Sequence, residues 1–207
     1  AFGTTALRQN TTGNKNVSLG RQALYGNTTG NNNIGIGYQS GYNNSAGSGN
    51  LFIGYQAGFN ETGSNKLYVS NSSADVPLIF GDFSFNTIGI GTKNINDSTY
   101  RLYVEKGIRT RKVKVDILNW ADYVFDKDYK LPTLAEVEKY IEQNKHLPDV
   151  PTAAEVEKDG IDLGENQALL LKKLEELTLY IIDINKKVEA LSKENDELKK
   201  KVNAVKQ

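Results

Sequence analysis

The glycine-rich segment between Gly30 and Gly54 is the first part of this sequence in which chemistry could be expected. It contains Gly35, Gly37 and Gly41, and closely spaced glycines let backbone N–H groups cradle the phosphates of a nucleotide. A dinucleotide-binding loop opens directly into a helix, however, and no helix-forming run follows Gly41. We therefore assign these glycines to the backbone, and we expect no cofactor.

The ionisable residues form no catalytic or metal-binding pattern. His146 is the only histidine, and it lies between Lys145 and Leu147-Pro148, where we expect it to hydrogen-bond within a turn. Asp126, Asp128, Glu136 and Glu138 are close in sequence, but carboxylates near helix starts are usually solvated and favoured by the helix dipole. No metal-ligand spacing and no Gly-x-Ser-x-Gly elbow occurs. The sequence thus predicts a protein that is not an enzyme and holds no metal.

Composition excludes several further classes of protein. The chain has 207 residues, a formal net charge of zero and no cysteine, which removes disulfides and thiolate chemistry. The balanced charge argues against nucleic acid as a partner. No apolar run approaches the roughly 20 residues that span a bilayer, so we expect no membrane insertion. The chain begins with Ala rather than Met, and we expect it to be a fragment or a processed product.

Charge and glycine divide the chain near residue 100. Residues 1–100 contain only nine charged side chains, whereas the other 41 lie in residues 101–207. Glycine has the opposite distribution, with 16 of 19 in the first hundred residues. This change of composition predicts two architectures, a β-rich first part and a second part that contains helices.

The first part is an internal repeat. Gly3, Gly20, Gly37 and Gly54 are each 17 residues apart. Every repeat also contains a short aliphatic alternation: Val17/Leu19, Ile34/Ile36, Leu51/Ile53 and Leu67/Val69. Such periodicity predicts a β-solenoid, in which each coil supplies short strands and the glycines and asparagines supply turns. We expect the alternating aliphatic side chains to point into the coil.

Aromatic residues recur outside the aliphatic set. They are Tyr25, Tyr38, Tyr42, Phe52, Tyr55 and Phe59. Two interpretations remain open: the rings close the solenoid and stack along it, or some of them line an interface with other subunits.

The repeat resembles the head repeats of trimeric autotransporter (YadA-like) adhesins. The similarity lies in a Gly-x-x-Ala-Leu motif with the Asn and Gly positions that follow it, and it is clearest in residues 3–37. Those heads are left-handed parallel β-rolls packed side by side as trimers, so the resemblance implies that fold and a homotrimer for residues 1–69. The third and fourth repeats depart from the motif, because Gly41 and Gly58 replace the leucine.

Two further segments link the repeats to the C-terminal end. Short strands predicted at 66–69, 77–80, 86–90 and 100–104 indicate a β-rich connector over residues 70–105. Residues 106–164 are predicted to form a small α/β assembly module with a strand at 112–115. Two helices of that module start at capping boxes, Thr133 with Glu136 and Thr152 with Glu155.

Residues 165–207 are predicted to form a parallel coiled coil. Apolar residues alternate in steps of four and three over five heptads, with one polar residue at an a position. The predicted interface residues are Leu170, Leu174, Leu177, Ile181, Ile184, Val188, Leu191, Asn195, Leu198, Val202 and Val205. The heptads alone do not decide between two strands and three; the β-roll resemblance favours three.

The segments 119–125 (NWADYVF), 146–148 (HLP) and 174–180 (LEELTLY) resemble a C-terminal domain found on many bacterial surface and tail-fibre-like proteins. They are more distantly similar to endosialidase-type intramolecular chaperones, which trimerise phage fibres and some adhesins. The resemblance implies a C-terminal trimerisation unit. Some of those chaperones cleave themselves from the fibre after folding, which requires a positioned hydroxyl or similar nucleophile at the junction. Thr110 is the only hydroxyl at the junction here, so we expect the module to remain attached.

Together these features predict a mainly β protein with added α structure that is a homotrimeric fibre or adhesin tip. Its expected role is attachment to a surface or host by multivalent binding, with a cell-surface glycan or a protein receptor as the partner. The alternative is a structural scaffold or an intramolecular assembly chaperone that trimerises a longer fibre and binds no ligand itself. The expected location is extracellular, on a bacterial cell surface or on the fibre of a phage or tail-like particle.

Overall fold

The computed structural model describes residues 1–95, 99–117, 120 and 122–205. The chain forms two compact units, Ala1–Thr110 and Arg111–Gln207. The four-part division predicted from the sequence remains a prediction. Residues 96–98, in a predicted turn, and 119 and 121, in the predicted tail-fibre-like segment, lie outside the described part of the chain.

The first unit is a β-solenoid built around one seven-stranded sheet. Its strands follow the chain order β1 (Val17–Leu19), β2 (Ile34–Ile36), β3 (Leu51–Ile53), β4 (Lys66–Val69), β5 (Ile79–Asp82), β6 (Thr87–Ile90) and β7 (Leu102–Val104). Strands β1 to β4 are parallel, and Phe2 adds a further parallel bridge to Leu19. The predicted solenoid is therefore confirmed.

The 17-residue glycine column is explained by contact between coils. Gly3, Gly20, Gly37 and Gly54 have φ between 115° and 133°, a backbone conformation that favours glycine. A Cβ atom on Gly20 would lie 2.5 Å from the carbonyl oxygen of Gly37, and one on Gly37 would lie 2.3 Å from that of Gly54. These glycines therefore permit the close stacking of successive coils.

The aliphatic pairs face away from the core, so the prediction that they point inward is wrong. In β1, β2 and β3 only the central residue is buried: Ser18, Gly35 and Phe52. Two side chains flank it on the opposite face of each strand, because successive residues alternate between the faces. The interior of a coil this short is narrow, and the buried hydrophobic cluster of the unit consists of Leu24, Phe52, Ala57, Tyr68, Phe80 and Ile95.

Each of the two central coils holds one large interior side chain, which comes either from the turn or from the strand. In the second coil Leu24 fills the space beside Gly35, where a Cβ would lie 2.8 Å from Leu24 Cγ. In the third coil the turn residue is small and the strand residue is large. The Phe52 ring fills the space beside Gly41, where a Cβ would lie 2.4 Å from Phe52 Cδ2. Leu24 has φ 48° and Gly41 has φ 62°, so the backbone alone does not require glycine. Gly41 and Gly58 replace leucine because the ring of Phe52 lies between them.

Asparagines before the strands form an internal hydrogen-bond ladder. The backbone N–H of Asn33 donates to Asn16 Oδ1 at 2.9 Å, that of Asn50 to Asn33 Oδ1 at 3.0 Å, and that of Lys66 to Asn50 Oδ1 at 2.8 Å. The side-chain amide of Asn33 also donates to the Gly47 carbonyl at 2.8 Å. Buried Asn33 and Asn50 are thus hydrogen-bonded between coils, as buried polar groups must be.

The sheet changes direction after the fourth coil. Strands β5 and β6 are antiparallel to their predecessors, and β7 is again parallel to β6. Lys66 and Asp82 lie opposite each other across β4 and β5 and form an ion pair. Burial raises the pKa of Asp82, but the hydrogen bonds from Lys66 and from the Ser84 backbone outweigh burial and hold that pKa below its usual value.

Among its described residues the second unit has three helices, α1 (Leu134–Asn144), α2 (Ala153–Asp159) and α3 (Leu163–Val205). Both predicted capping boxes are present, Thr133 with Glu136 and Thr152 with Glu155. The strand predicted at 112–115 is wrong, because these residues are not paired into a sheet. Val113 and Val115 remain exposed, and an isolated strand is not stable without hydrogen-bonded neighbours.

Candidate subunit interfaces

The outward side of the parallel strands presents an aliphatic surface, which we call the strand face. In-register pairing aligns its side chains into two columns along the solenoid. The columns are Val17, Ile34 and Leu51, and Leu19, Ile36 and Ile53. Ile34 and Leu51 are half-buried, and the other four are between 36% and 51% exposed. A contiguous apolar surface of this kind is typical of an interaction site.

Aromatic columns run along the same unit. The rings of Tyr25, Tyr42 and Phe59 stack with centroid distances of 4.9 and 5.0 Å, and Tyr38 stacks on Tyr55 at 5.3 Å. These five rings therefore stack along the solenoid, the first of the two interpretations left open by the sequence. The sixth aromatic residue, Phe52, lies instead in the core.

The predicted coiled-coil residues lie along α3. Among them, Asn195 is exposed and the nine aliphatic residues from Leu170 to Val202 are between 46% and 64% exposed. We call these ten residues the helix stripe; Val205 ends the helix. From Ile181 to residue 204 every side chain of α3 is exposed. The stripe is thus unpartnered in the single chain, as an interface helix would be before assembly.

The first third of α3 packs against its own unit and forms an apolar groove, which we call the helix groove. The groove has a volume of about 700 Å³. Leu134, Val137 and Leu147 line one side, and Leu170, Leu174 and Leu177 of the helix stripe line the other. A neighbouring helix that packed on the stripe would therefore also reach the apolar residues around α1.

Polar contacts fix the wall of the helix groove. The hydroxyl of Tyr129 donates to buried Glu176, and Lys173 Nζ lies 3.0 Å from Glu176 Oε2. Burial, followed by the hydrogen bond to Glu176, raises the pKa of Tyr129, so its hydroxyl remains a donor at neutral pH. Lys172 Nζ donates to Asp149 Oδ2 at 2.9 Å, which holds the pKa of Asp149 below its usual value.

The helix groove is lined by none of the ionisable residues that the sequence singled out. His146 Nδ1 lies 2.9 Å from the Leu147 carbonyl oxygen, within the predicted turn. Asp126, Asp128 and Glu138 are exposed, and exposed Glu136 caps α1. Within the described ranges no three His, Cys, Asp or Glu side chains are arranged to hold a metal ion.

Of the helices that the structure describes, none has both the length and the apolar composition needed to cross a bilayer. No protein-family model, curated protein or solved structure matches the chain significantly.

Proposed function

We propose that this chain is a non-enzymatic, homotrimeric fibre or adhesin tip that attaches to a surface through multivalent binding. In this assembly the solenoid is a left-handed β-roll head, and α3 forms a parallel three-stranded coiled coil. The observation that carries the proposal is the helix stripe, in which nine exposed aliphatic residues and one asparagine recur at heptad spacing along a helix of 43 residues.

The exposed apolar face of α3 favours a partner. Most helical stability in proteins comes from packing of an apolar face rather than from the intrinsic propensity of the helix. From Ile181 to residue 204 α3 has no packed face in the single chain. Association of the stripes of several copies would supply that face, with a/d side chains inserting between those of the neighbouring helix.

The head supports the same assembly. The strand face presents two aliphatic columns, and three copies packed through these columns would remove them from water. Attachment by three linked heads would convert weak single contacts into avidity, which can exceed the single-site affinity by about 10²- to 10⁴-fold. An extracellular location on a bacterial surface or a phage-like fibre fits this role.

The alternative is a scaffold or intramolecular assembly chaperone that trimerises a longer fibre and binds no ligand. The helix groove favours it, because Leu134, Val137 and Leu147 extend the apolar surface beyond the helix itself. Both functions require the trimer and differ only in whether the head binds a partner.

Sedimentation equilibrium of the full chain tests the trimer. We expect about three times the chain mass of 22.9 kDa. Ile181→Asp places a charge on the helix stripe and should lower the mass to that of the monomer. Ile182→Asp is the matched control, because Ile182 is 45% exposed but lies next to the stripe rather than on it. A monodisperse wild-type monomer at micromolar concentration would contradict the proposal.

Binding to an array of immobilised glycans and to intact bacterial cells then separates the two functions. An adhesin tip should bind as a trimer and lose about 10²-fold or more in apparent affinity in the Ile181→Asp variant. A trimer that binds neither glycans nor cells would favour the assembly chaperone.

A further inference from the structure

A small polar pocket lies beside the fourth coil of the solenoid, and we call it the head pocket. It has a volume of about 230 Å³. The residues that matter for its chemistry are Phe59, Asn60, Glu61, Tyr68, Asp75 and Lys93. At roughly 30 Å³ for each water molecule of the liquid, this volume corresponds to about eight waters, close to the size of one sugar ring.

The head pocket begins where an aromatic column ends. Tyr25, Tyr42 and Phe59 stack at spacings of 4.9 and 5.0 Å, one ring for each coil. After the fourth coil the chain reverses direction into β5, and Asp75 rather than another ring borders the pocket. Phe59 is therefore the last ring of its column, and it borders a pocket whose lining is mainly polar.

The carboxylate of Glu61 is held in a fixed orientation. The hydroxyl of Tyr68 donates to Glu61 Oε2 at 2.6 Å, and the backbone N–H of Gly63 donates to Glu61 Oε1 at 2.7 Å. Burial, followed by the hydrogen bond to Glu61, raises the pKa of Tyr68, so the phenol keeps its proton. A carboxylate oxygen has more than one acceptor direction, so Glu61 can still accept hydrogen bonds from a ligand.

Lys93 and Asp75 provide complementary donors and acceptors. Lys93 Nζ donates to Asp75 Oδ1 at 3.0 Å and lies 5.5 Å from the ring centroid of Tyr68 and 5.4 Å from that of Phe80. These aromatic contacts position the ammonium group. The side chain of Asp75 is 90% exposed, so its carboxylate is accessible from solvent.

We infer that the head pocket binds one neutral, polyhydroxylated sugar ring of a surface glycan, an inference that rests on the proposed attachment function and specifies its ligand. Sugar hydroxyls both donate and accept, as Glu61, Asp75, Lys93 and Asn60 together require. Anionic ligands are disfavoured, because the pocket has two carboxylates and one ammonium group that is already paired.

The test uses the full chain and the methyl glycosides of glucose, galactose, mannose, N-acetylglucosamine and glucuronic acid, the last of which is anionic. Saturation-transfer NMR should show binding of at least one neutral glycoside at about millimolar Kd, as expected for a small ligand with few contacts. Asp75→Asn and Glu61→Gln should each weaken that binding about tenfold, the effect of losing a charged hydrogen-bond acceptor. Asp116→Asn is the matched control, because Asp116 is also 90% exposed and paired with a lysine.

The variants give distinguishable outcomes. Binding of no neutral glycoside, stronger binding of the glucuronide than of the glucoside, or equal binding by wild type and Asp75→Asn would each overturn the pocket assignment. Asp75 is exposed, so its variant is informative even if Glu61→Gln does not fold. A trimer that attaches to glycan-coated surfaces with or without Asp75 would refute the pocket but leave the proposed function intact. A monomer that binds glycosides through Asp75 would support the pocket and refute the trimeric fibre.

Discussion

The packing rule of the solenoid is that each central coil holds one large interior side chain, which comes from either the turn or the strand. Exchanging the large and small interior residues of the third coil tests this rule. The double variant Gly41→Leu with Phe52→Gly rebuilds in that coil the arrangement of Leu24 and Gly35 in the second. Each single variant should be strongly destabilised, and the double variant should be less destabilised than the sum of the two. Leu24 already tolerates φ 48°, so leucine at position 41 is compatible with the backbone.

The structure sets the size of each effect. A Cβ on Gly41 would lie 2.4 Å from the Phe52 ring, so Gly41→Leu alone overpacks the coil, at about 1–3 kcal/mol, and adds about 1–2 kcal/mol for a left-handed residue. Phe52 is fully buried, and its removal leaves a cavity that destabilises by about 3–5 kcal/mol. The double variant removes the clash with the Phe52 ring and fills part of the cavity. The Cβ at position 41 still lies 2.7 Å from Leu24 Cδ2, the flexible end of a side chain, which must shift slightly. We therefore expect a favourable coupling energy of about 2–3 kcal/mol.

Urea unfolding at one fixed protein concentration, followed by hydrogen exchange of peptides from residues 34–69, measures these free energies in the head itself. The concentration must be fixed because the apparent stability of any protein that associates depends on its concentration. Gly91→Leu is the matched control for the left-handed backbone, because Gly91 has φ 69° and an added Cβ would meet only Glu105 Cβ, at 3.7 Å. Strict additivity of the two single variants would refute the packing rule.

Three further predictions concern the second unit. Asn195→Val should raise the melting temperature measured at 222 nm and broaden the distribution of oligomers seen by sedimentation, because a polar a position trades stability for register; unchanged melting would place Asn195 outside the interface. Tyr129→Phe removes a donor to buried Glu176 and should destabilise the unit by about 1–3 kcal/mol in thermal melts, whereas an unchanged melt would show that Lys173 suffices. The Lys172–Asp149 bond lowers the pKa of Asp149 and raises that of Lys172. Its contribution to the free energy of unfolding should therefore be lost as the pH falls below about 3.9, and also as the pH rises above about 10.4. In Asp149→Asn the melting temperature should no longer show this pH dependence. If the variant and the wild type have the same pH profile, the Lys172–Asp149 bond is not the source of the dependence.

The repeat period predicted the solenoid because a spacing of 17 residues reflects a local constraint that every coil shares. Gly20 and Gly37 recur where one backbone must approach the next, and only glycine allows that approach. The capping boxes at Thr133 and Thr152 were predictable for the same reason, since each depends on residues three positions apart.

The direction of the aliphatic pairs was not predictable from alternation, which defines two faces but not which of them is inside. The buried central positions hold Ser18, Gly35 and Phe52, residues of very different size and polarity, so no hydrophobic pattern marks them. Their common feature is a complementary residue on the turn, such as Leu24 or Gly41, which only a known coil geometry reveals.

The change from parallel to antiparallel pairing after β4 and the composition of the head pocket could not be predicted either. Both depend on contacts between residues that are far apart in sequence, such as Asp75 and Lys93. Neither residue belongs to the repeat, and neither follows a local pattern. A candidate site of this kind becomes visible only when the coils are stacked.

The in-register pairing of coils has a consequence for how such a head can evolve. Each coil from β1 to β3 hydrogen-bonds to its neighbours at a fixed offset of 17 residues, so duplication of one whole coil would lengthen the solenoid by about 4.8 Å and preserve the register of the strands. Duplication of a fraction of a coil would shift the strand face into the core. Solenoid length can therefore change only in steps of one coil, and unequal recombination between repeats would supply such steps.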